Sequence, residues 1–224
     1  MGTSNWQNIS YNIELIRKLN PSSILDVGVG FGRWGILFRE FLEIWDNSKY
    51  DGKWDRIIDG IEIFSGYIKD YHYYFYNNIY AEDALTFLRE TDKQYDLINF
   101  GDVIEHFTKP QGEELISLAM DRAKYVLINI PIGKHWKQEG SGDNPYEEHK
   151  SVWYNNDFTK HRHYLLKCFN DLALRDFSVV LLSKHKIKYE SRFGRFFRLK
   201  SFLKHKLGLR KLIEKYEMSR KKSK

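Results

Sequence analysis

Apolar positions along the chain alternate between two periods. Ile9, Ile13, Ile16 and Leu19 stand near helical spacing over Trp6 to Leu19, and Pro21 stops that run. Ser23 to Val27 is then a short apolar stretch that enters a cluster of glycines, and Trp34 to Leu42 returns to the helical period. The same order repeats. Arg56 to Ile63 reads as a strand, the aromatic-rich Gly66 to Phe75 as a helix, Ile79-Tyr80 as a short strand, and Asp83 to Glu90 as a helix capped at its start. Strands alternating with helices imply a mostly parallel sheet with helices on both faces.

The second half continues the pattern. Tyr95 to Phe100 is a fourth strand, Gln111 to Lys124 a helix, and Tyr125 to Ile130 a fifth strand that Pro131 ends. About 25 residues then pass before a helix predicted to begin near Asn156, a connection long enough to suggest a functional loop. Phe177 to Leu182 and a partner near His185 to Tyr189 are expected to close a seven-stranded sheet as a hairpin. Cys168, the only cysteine, falls in this scheme inside an apolar helical stretch, where a buried and inert thiol is expected.

Composition narrows the class. At 224 residues, 42% hydrophobic and 29% charged, the chain fits one α/β domain with an appended tail, and not two catalytic domains or a disordered protein. No apolar run reaches the roughly 20 residues of a membrane span, and the first residues carry no basic and apolar leader pattern, so a cytoplasmic location is expected. The net charge of +6 is unevenly spread: +13 falls on Lys184 to Lys224 and −7 on the residues before them. The body is therefore acidic, and the high isoelectric point describes the tail.

The candidate chemistry begins at Asp26-Val-Gly-Val-Gly-Phe-Gly32, where a predicted strand turns into a predicted helix. Glycines let the backbone turn sharply there and approach a ligand. Glu62, Asp83 and Asp102 fall at the ends of later strands, where an open α/β sheet presents its binding crevice. Gly30-Phe-Gly-Arg-Trp-Gly35 also satisfies the dinucleotide pattern GxGxxG, but Glu62 lies 27 positions beyond Gly35 and Asp26 stands close to where a diphosphate would lie. A positively charged ligand without a diphosphate fits better.

Ile24-Leu-Asp-Val-Gly-Val-Gly-Phe-Gly32 resembles the first motif of the class I S-adenosylmethionine-dependent methyltransferases, and the likeness extends over roughly residues 20 to 183. It implies a Rossmann-like methyltransferase domain over 1–190, with S-adenosylmethionine as methyl donor. By that resemblance Asp26, Gly28 and Gly30 border the aminoacyl end of the donor, Glu62 takes the ribose hydroxyls, Asp83 meets the adenine amine, and Gly101 and Asp102 lie beside the sulfonium.

Asp102-Val-Ile-Glu-His106 follows the fourth strand, and its i, i+3, i+4 spacing would gather Asp102, Glu105 and His106 on one face if helical. The Val-Ile-Glu-His-Phe stretch resembles small-molecule O-methyltransferases, including those of ubiquinone biosynthesis. His149 lies in the long loop, beside Trp136, Tyr146, Glu147 and Glu148. Methyl transfer is an in-line displacement on a sulfonium, so the protein has to align the partners, exclude water and take a proton from a hydroxyl acceptor. His106 and His149 are the candidate catalytic residues for that proton. Asp102, Glu105, His106 and His149 together resemble the cluster of the magnesium-dependent 2′-O-methyltransferases of small-RNA 3′ ends, with Asp102 where those enzymes carry a Glu. A divalent cation is thus implied by that likeness, although an unmetalled site is the reading preferred from the sequence.

From Phe193 to Ile213, apolar residues interleave with Lys and Arg at a roughly helical period. A basic amphipathic tail over 191–224 is expected, suited to packing on the domain, to an anionic membrane surface or to RNA phosphates. Asn144-Pro-Tyr-Glu-Glu-His149 bears a loose likeness to methyltransferases of bacterial surface-polysaccharide pathways. The favoured reading is an O-methyltransferase for a small-molecule or glycan acceptor. Its rivals are a magnesium-dependent RNA 2′-O-methyltransferase and a non-catalytic protein that binds the donor and docks through its tail.

Overall fold

A computed structural model describes residues 5–45, 52–140 and 144–187. The expected basic tail lies outside the described residues. Helix α1 (Ile9–Leu19) leads into β1 (Ser23–Val27), followed by α2 (Arg33–Arg39), which continues through one π-helical stretch to Ile44. Then come β2 (Ile57–Ile61), the single turn α3 (His72–Phe75), β3 (Asn78–Tyr80), α4 (Ala84–Glu90) and β4 (Tyr95–Gly101). The remainder is α5 (Lys109–Arg122), β5 (Ala123–Pro131), the single turn α6 (Asn156–Thr159), β6 (Tyr164–Asn170) and β7 (Asp176–Ser183).

The seven strands form one sheet in the order β3-β2-β1-β4-β5-β7-β6. The first five are mutually parallel, and β7 runs antiparallel to both β5 and β6. The order reverses beside β1, so the ends of β1 and β4 diverge and open a crevice, the place where such sheets hold ligands. Burial follows from the strand period. Leu25, Val27, Ile98, Phe100, Val126 and Ile128 pack on Leu85, Leu88, Leu115 and Ile116 of α4 and α5. Thr108 and Gln111 cap the start of α5 reciprocally, with Pro110 in its first turn, where the missing N–H is not needed. Trp153 stacks on Phe158 at 5.5 Å and lies over Gly112, where a Cβ would come within 2.6 Å of the indole.

Two expectations fail at the C-terminal side of the domain. The apolar stretch around Cys168 is strand β6, not helix, and it is β6 that pairs with β7, while residues 185–187 form no strand. Cys168 is consequently exposed, its Sγ accepting from Asn155 Nδ2 at 3.3 Å, and not buried. The predicted helix from Gly66 shrinks to a 3-10 turn at Ser65–Tyr67 and to α3. Among the described residues no helix is long and apolar enough to cross a membrane.

Candidate active site

A cavity of about 530 Å³ opens at the carboxyl ends of β1, β2 and β4 and is closed on one side by Trp136, Gln138 and residues 144–150 of the connection after β5. Its floor is the glycine turn after β1. Gly28, Gly30 and Gly32 all have positive φ, at 77°, 51° and 85°, a conformation that side chains with a Cβ rarely adopt. The turn is tied to β2: the N–H groups of Gly28 and Val29 donate to the Ile61 carbonyl, and that of Gly30 donates to Glu62 Oε2 at 2.8 Å.

Glu62 is buried at the cavity wall, and its other oxygen, Oε1, accepts from the Phe64 N–H at 2.9 Å. Burial raises its pKa, and the two backbone donors oppose that rise. Each carboxylate oxygen has two lone pairs, so each retains one for a ligand hydroxyl. Asp83 also lines the cavity, yet its Oδ1 caps α4 by accepting from the Thr86 N–H at 2.9 Å. Both readings of Asp83, cap and ligand contact, are geometrically open to one carboxylate with two oxygens.

Asp26 is the exception among the residues expected to border the ligand. It is fully buried and does not line the cavity. Its Oδ2 accepts from the Tyr76 hydroxyl at 2.6 Å and its Oδ1 from Asn99 Nδ2 at 2.8 Å. Burial pushes its pKa up to about 7 against these two donors. Tyr76 in turn accepts from the Gly35 N–H at 3.0 Å, so Asp26 fixes the first turn of α2 to the end of β1 and acts on the glycine turn from behind. Gly35 thereby has a structural reason: a Cβ there would lie 2.4 to 2.7 Å from the ring and hydroxyl of Tyr76. Gly35→Ala is expected to destabilise the fold by about 1–3 kcal/mol through overpacking. At Gly140 an added Cβ meets nothing closer than 3.6 Å, so Gly140→Ala is the control in denaturant unfolding. Equal midpoints for the two variants would contradict this account.

The far end of the cavity carries the second cluster. Asp102, at φ 56°, follows β4 and precedes a 3-10 turn over Ile104–His106, so the continuous helix that would align Asp102 with Glu105 does not form. Asp102, Glu105, His106 and His149 nevertheless all line the cavity. The rings of His106 and His149 meet edge to face at 4.9 Å. His106 Nδ1 lies 3.0 Å from the Glu148 carbonyl and His149 Nδ1 lies 2.6 Å from the Trp136 carbonyl. A carbonyl only accepts, so both Nδ1 atoms carry a proton, and in the neutral ring the lone pair lies on Nε2. Burial and the neighbouring His106 lower the pKa of His149, keeping it neutral.

Glu105 is buried, and neither of its carboxylate oxygens has a hydrogen-bond partner among the described residues. Burial first and then Asp102 drive its pKa well above the usual carboxylate range. Its main chain is fully used: the Glu105 carbonyl accepts from the N–H groups of Lys150 and Ser151, at 2.9 and 3.1 Å, and so straps the long loop to the turn after β4.

Three cavity residues escape a reading of the sequence. Arg33 opens α2 and donates to the Asn5 carbonyl at 3.4 Å, Tyr67 donates to Glu147 Oε1 at 2.9 Å, and Arg175 stacks its guanidinium 3.9 Å over Trp136. Arg175 sits on the β6–β7 connection, which the sequence pattern misplaces. Glu62, Glu82, Asp83, Asp102, Glu105 and Glu147 face the cavity against Arg33, Lys150 and Arg175. That balance favours a cationic ligand and opposes a diphosphate.

No protein-family model matches the chain, and no curated protein sequence does. Solved structures match its fold. The O-methyltransferase TomG of Streptomyces achromogenes, involved in tomaymycin synthesis and solved in complex with SAM, aligns with a TM-score of 0.56 at 12% identity over 82% of each chain. A SAM-dependent methyltransferase from Archaeoglobus fulgidus gives 0.54 at 16% identity, over 78% of this chain and 94% of that one. The methyltransferase domain of bacterial CtHen1 gives 0.50 at 13% identity, over 79% and 97%.

Proposed function

We propose that this chain, which has the fold of the class I S-adenosylmethionine-dependent methyltransferases, transfers a methyl group from S-adenosylmethionine to a hydroxyl of a small-molecule or glycan acceptor. The observation that carries this reading is the donor half of the cavity. Glu62 is locked to Gly30 and Phe64 with a lone pair left on each oxygen, in a pocket whose carboxylates outnumber its cations. The donor brings a ribose diol, an ammonium group and a sulfonium, and no phosphate. The diol suits Glu62, and the positive charges suit the side of Asp102.

In the reaction the acceptor oxygen forms a bond to the methyl carbon, the sulfur–methyl bond breaks, and a neutral thioether leaves. The hydroxyl proton must go elsewhere. His106 and His149 turn Nε2 away from the carbonyls that hold Nδ1, and either ring in its neutral form can receive it. Trp136 and Tyr67 wall this half and exclude water. The acidic lining weighs against RNA as acceptor, and two imidazoles beside a strained backbone position weigh against a protein that only binds the donor.

Titration calorimetry with S-adenosylhomocysteine tests the donor assignment. Binding is expected for the wild type, with a loss of about 1–3 kcal/mol for Glu62→Ala, because buried ribose hydroxyls lose their acceptor. Preferential binding of NAD would overturn it. Incubation with S-adenosylmethionine labelled in the methyl group, against fractionated small-molecule and glycan extracts, then identifies the acceptor.

A further inference from the structure

The charges that line the cavity are not mixed evenly along it. Glu62, Glu82 and Asp83, at the ends of β2 and β3, belong to the donor half, and Asp102 stands where the halves meet. The half around His106 and His149 is reached instead by Lys150 and Arg175. Two carboxylates also stand there, and neither cancels these cations. Glu105 is buried and held above the usual carboxylate range, so it carries less charge than an ordinary glutamate. Glu147 accepts from the Tyr67 hydroxyl at 2.9 Å and from Gln138 Nε2 at 3.2 Å, and its field reaches Glu62 as well as Glu105, which places it between the halves.

Both cations are held in position. The Arg175 N–H donates to Asp171 Oδ1 at 2.8 Å, while Nε and Nη2 meet Oδ2 at 2.9 and 2.8 Å. One face of the guanidinium lies 3.9 Å over Trp136. Trp136 is fixed in turn, its Nε1 donating to the Asp176 carbonyl at 2.7 Å and its own carbonyl accepting from His149 Nδ1 at 2.6 Å. A guanidinium clamped along one edge and one face has little rotamer freedom left to lose on binding. Its outer edge, with Nη1 and the second proton of Nη2, has no partner among the described residues. Lys150 is tied by its main-chain N–H to the Glu105 carbonyl at 2.9 Å, and its ammonium is in no hydrogen bond or ion pair among the described residues. The planar fork of an arginine matches the two oxygens of a carboxylate, and a lysine adds a point charge beside it.

We propose that Arg175 and Lys150 form a carboxylate-binding subsite, and that the acceptor is a hydroxy acid whose carboxylate they hold while its hydroxyl faces His106 and His149. Naming this acid as the acceptor rests on the methyltransferase reading, whereas binding of a carboxylate does not. A polyanion such as RNA would meet the acids along the whole lining; a single carboxylate meets the two cations alone. The cavity is then complementary at both ends, with acids for the cationic donor and bases for the anionic acceptor.

The test uses the full-length chain, with and without saturating S-adenosylhomocysteine, and ligand-observed NMR titration with two matched pairs of probes. Glucuronate is compared with glucose, and 4-hydroxybenzoate with 4-hydroxybenzyl alcohol, so that the arms distinguish a sugar acid from a phenolic acid. At least one acid is expected to bind saturably and roughly 10-fold or more tighter than its neutral partner, and to weaken by about the same factor in Lys150→Gln and in Arg175→Gln, as for the loss of a charge-assisted hydrogen bond. Added salt should erode the preference. Unchanged affinity of both variants for S-adenosylhomocysteine shows that the fold stands. No preference for either acid, or wild-type affinity for the acid in either variant, overturns the inference. Donor binding without a preference for the acid removes the subsite and leaves the methyltransferase reading standing. Preference for the acid without donor binding does the reverse.

Discussion

Replacing His106 with alanine should leave the affinity for S-adenosylhomocysteine near wild type while methyl transfer falls roughly 100-fold or more, and His149→Ala should behave alike. The argument is spatial. Both rings line the acceptor half of the cavity, meet at 4.9 Å, and are oriented by the carbonyls of Glu148 and Trp136, whereas the donor half is built on Gly28 to Gly30 and Glu62. Rates measured under saturating donor, with donor affinity measured separately by calorimetry, divide the two halves. Unaltered turnover in both variants would remove the pair from the mechanism. A parallel loss of donor affinity would show instead that the cavity is not divided as described.

Glu105→Gln should make the protein more stable. A buried carboxylate without partners disfavours its own charged form, so its folded-state pKa is raised above the unfolded one. Between those two values the native state holds more protons than the unfolded state, and stability therefore falls as pH rises through the window. Asp102 and Glu147 face this carboxylate with like charge. The amide does not titrate. Its advantage should be small near pH 5 and reach about 1–3 kcal/mol by pH 8, in line with the penalty for an unsatisfied buried group. Asp26, with its pKa near 7, adds a slope of the same sign that persists in the variant. Denaturant unfolding at several pH values in the presence of chelator checks this. A variant no more stable than wild type at pH 8 would mean that the carboxylate finds a partner in solution. Stability lost at a functional site is the usual trade between activity and robustness.

The parts of the molecule legible in the sequence are those with strong local signals. The glycine turn after β1, the acid after β2 and the Asp102 to His106 stretch were each marked by a change of period or by residues foreign to a core, and the structure gathers Gly28, Gly30, Glu62, Asp83, Gly101, Asp102, His106 and His149 around one cavity. Asp26 stands behind the cavity and not in its lining, because a carboxylate two residues before a glycine turn is equally suited to a ligand or to a neighbouring strand. Its partners, Tyr76 and Asn99, come from 50 and 73 positions away. The β6–β7 hairpin was misread for a different reason. Its connection contains no glycine, asparagine or proline, and Leu174 takes the left-handed position, at φ 61°. Asp171 makes that turn instead, accepting from the N–H groups of Ala173 and Arg175. Without a turn signal, Leu165-Leu-Lys-Cys-Phe169 reads at either period, and with the hairpin displaced, Arg175 could not be placed beside Trp136.

The exposed thiol of Cys168 gives the wild-type chain a native attachment point. It lies on the edge strand β6 and does not line the cavity, and no second cysteine competes for reagent. One maleimide fluorophore or spin label can therefore be coupled to a defined position without any substitution. Donor occupancy could then be followed optically or by paramagnetic broadening on the unaltered sequence, including under conditions where no acceptor is present.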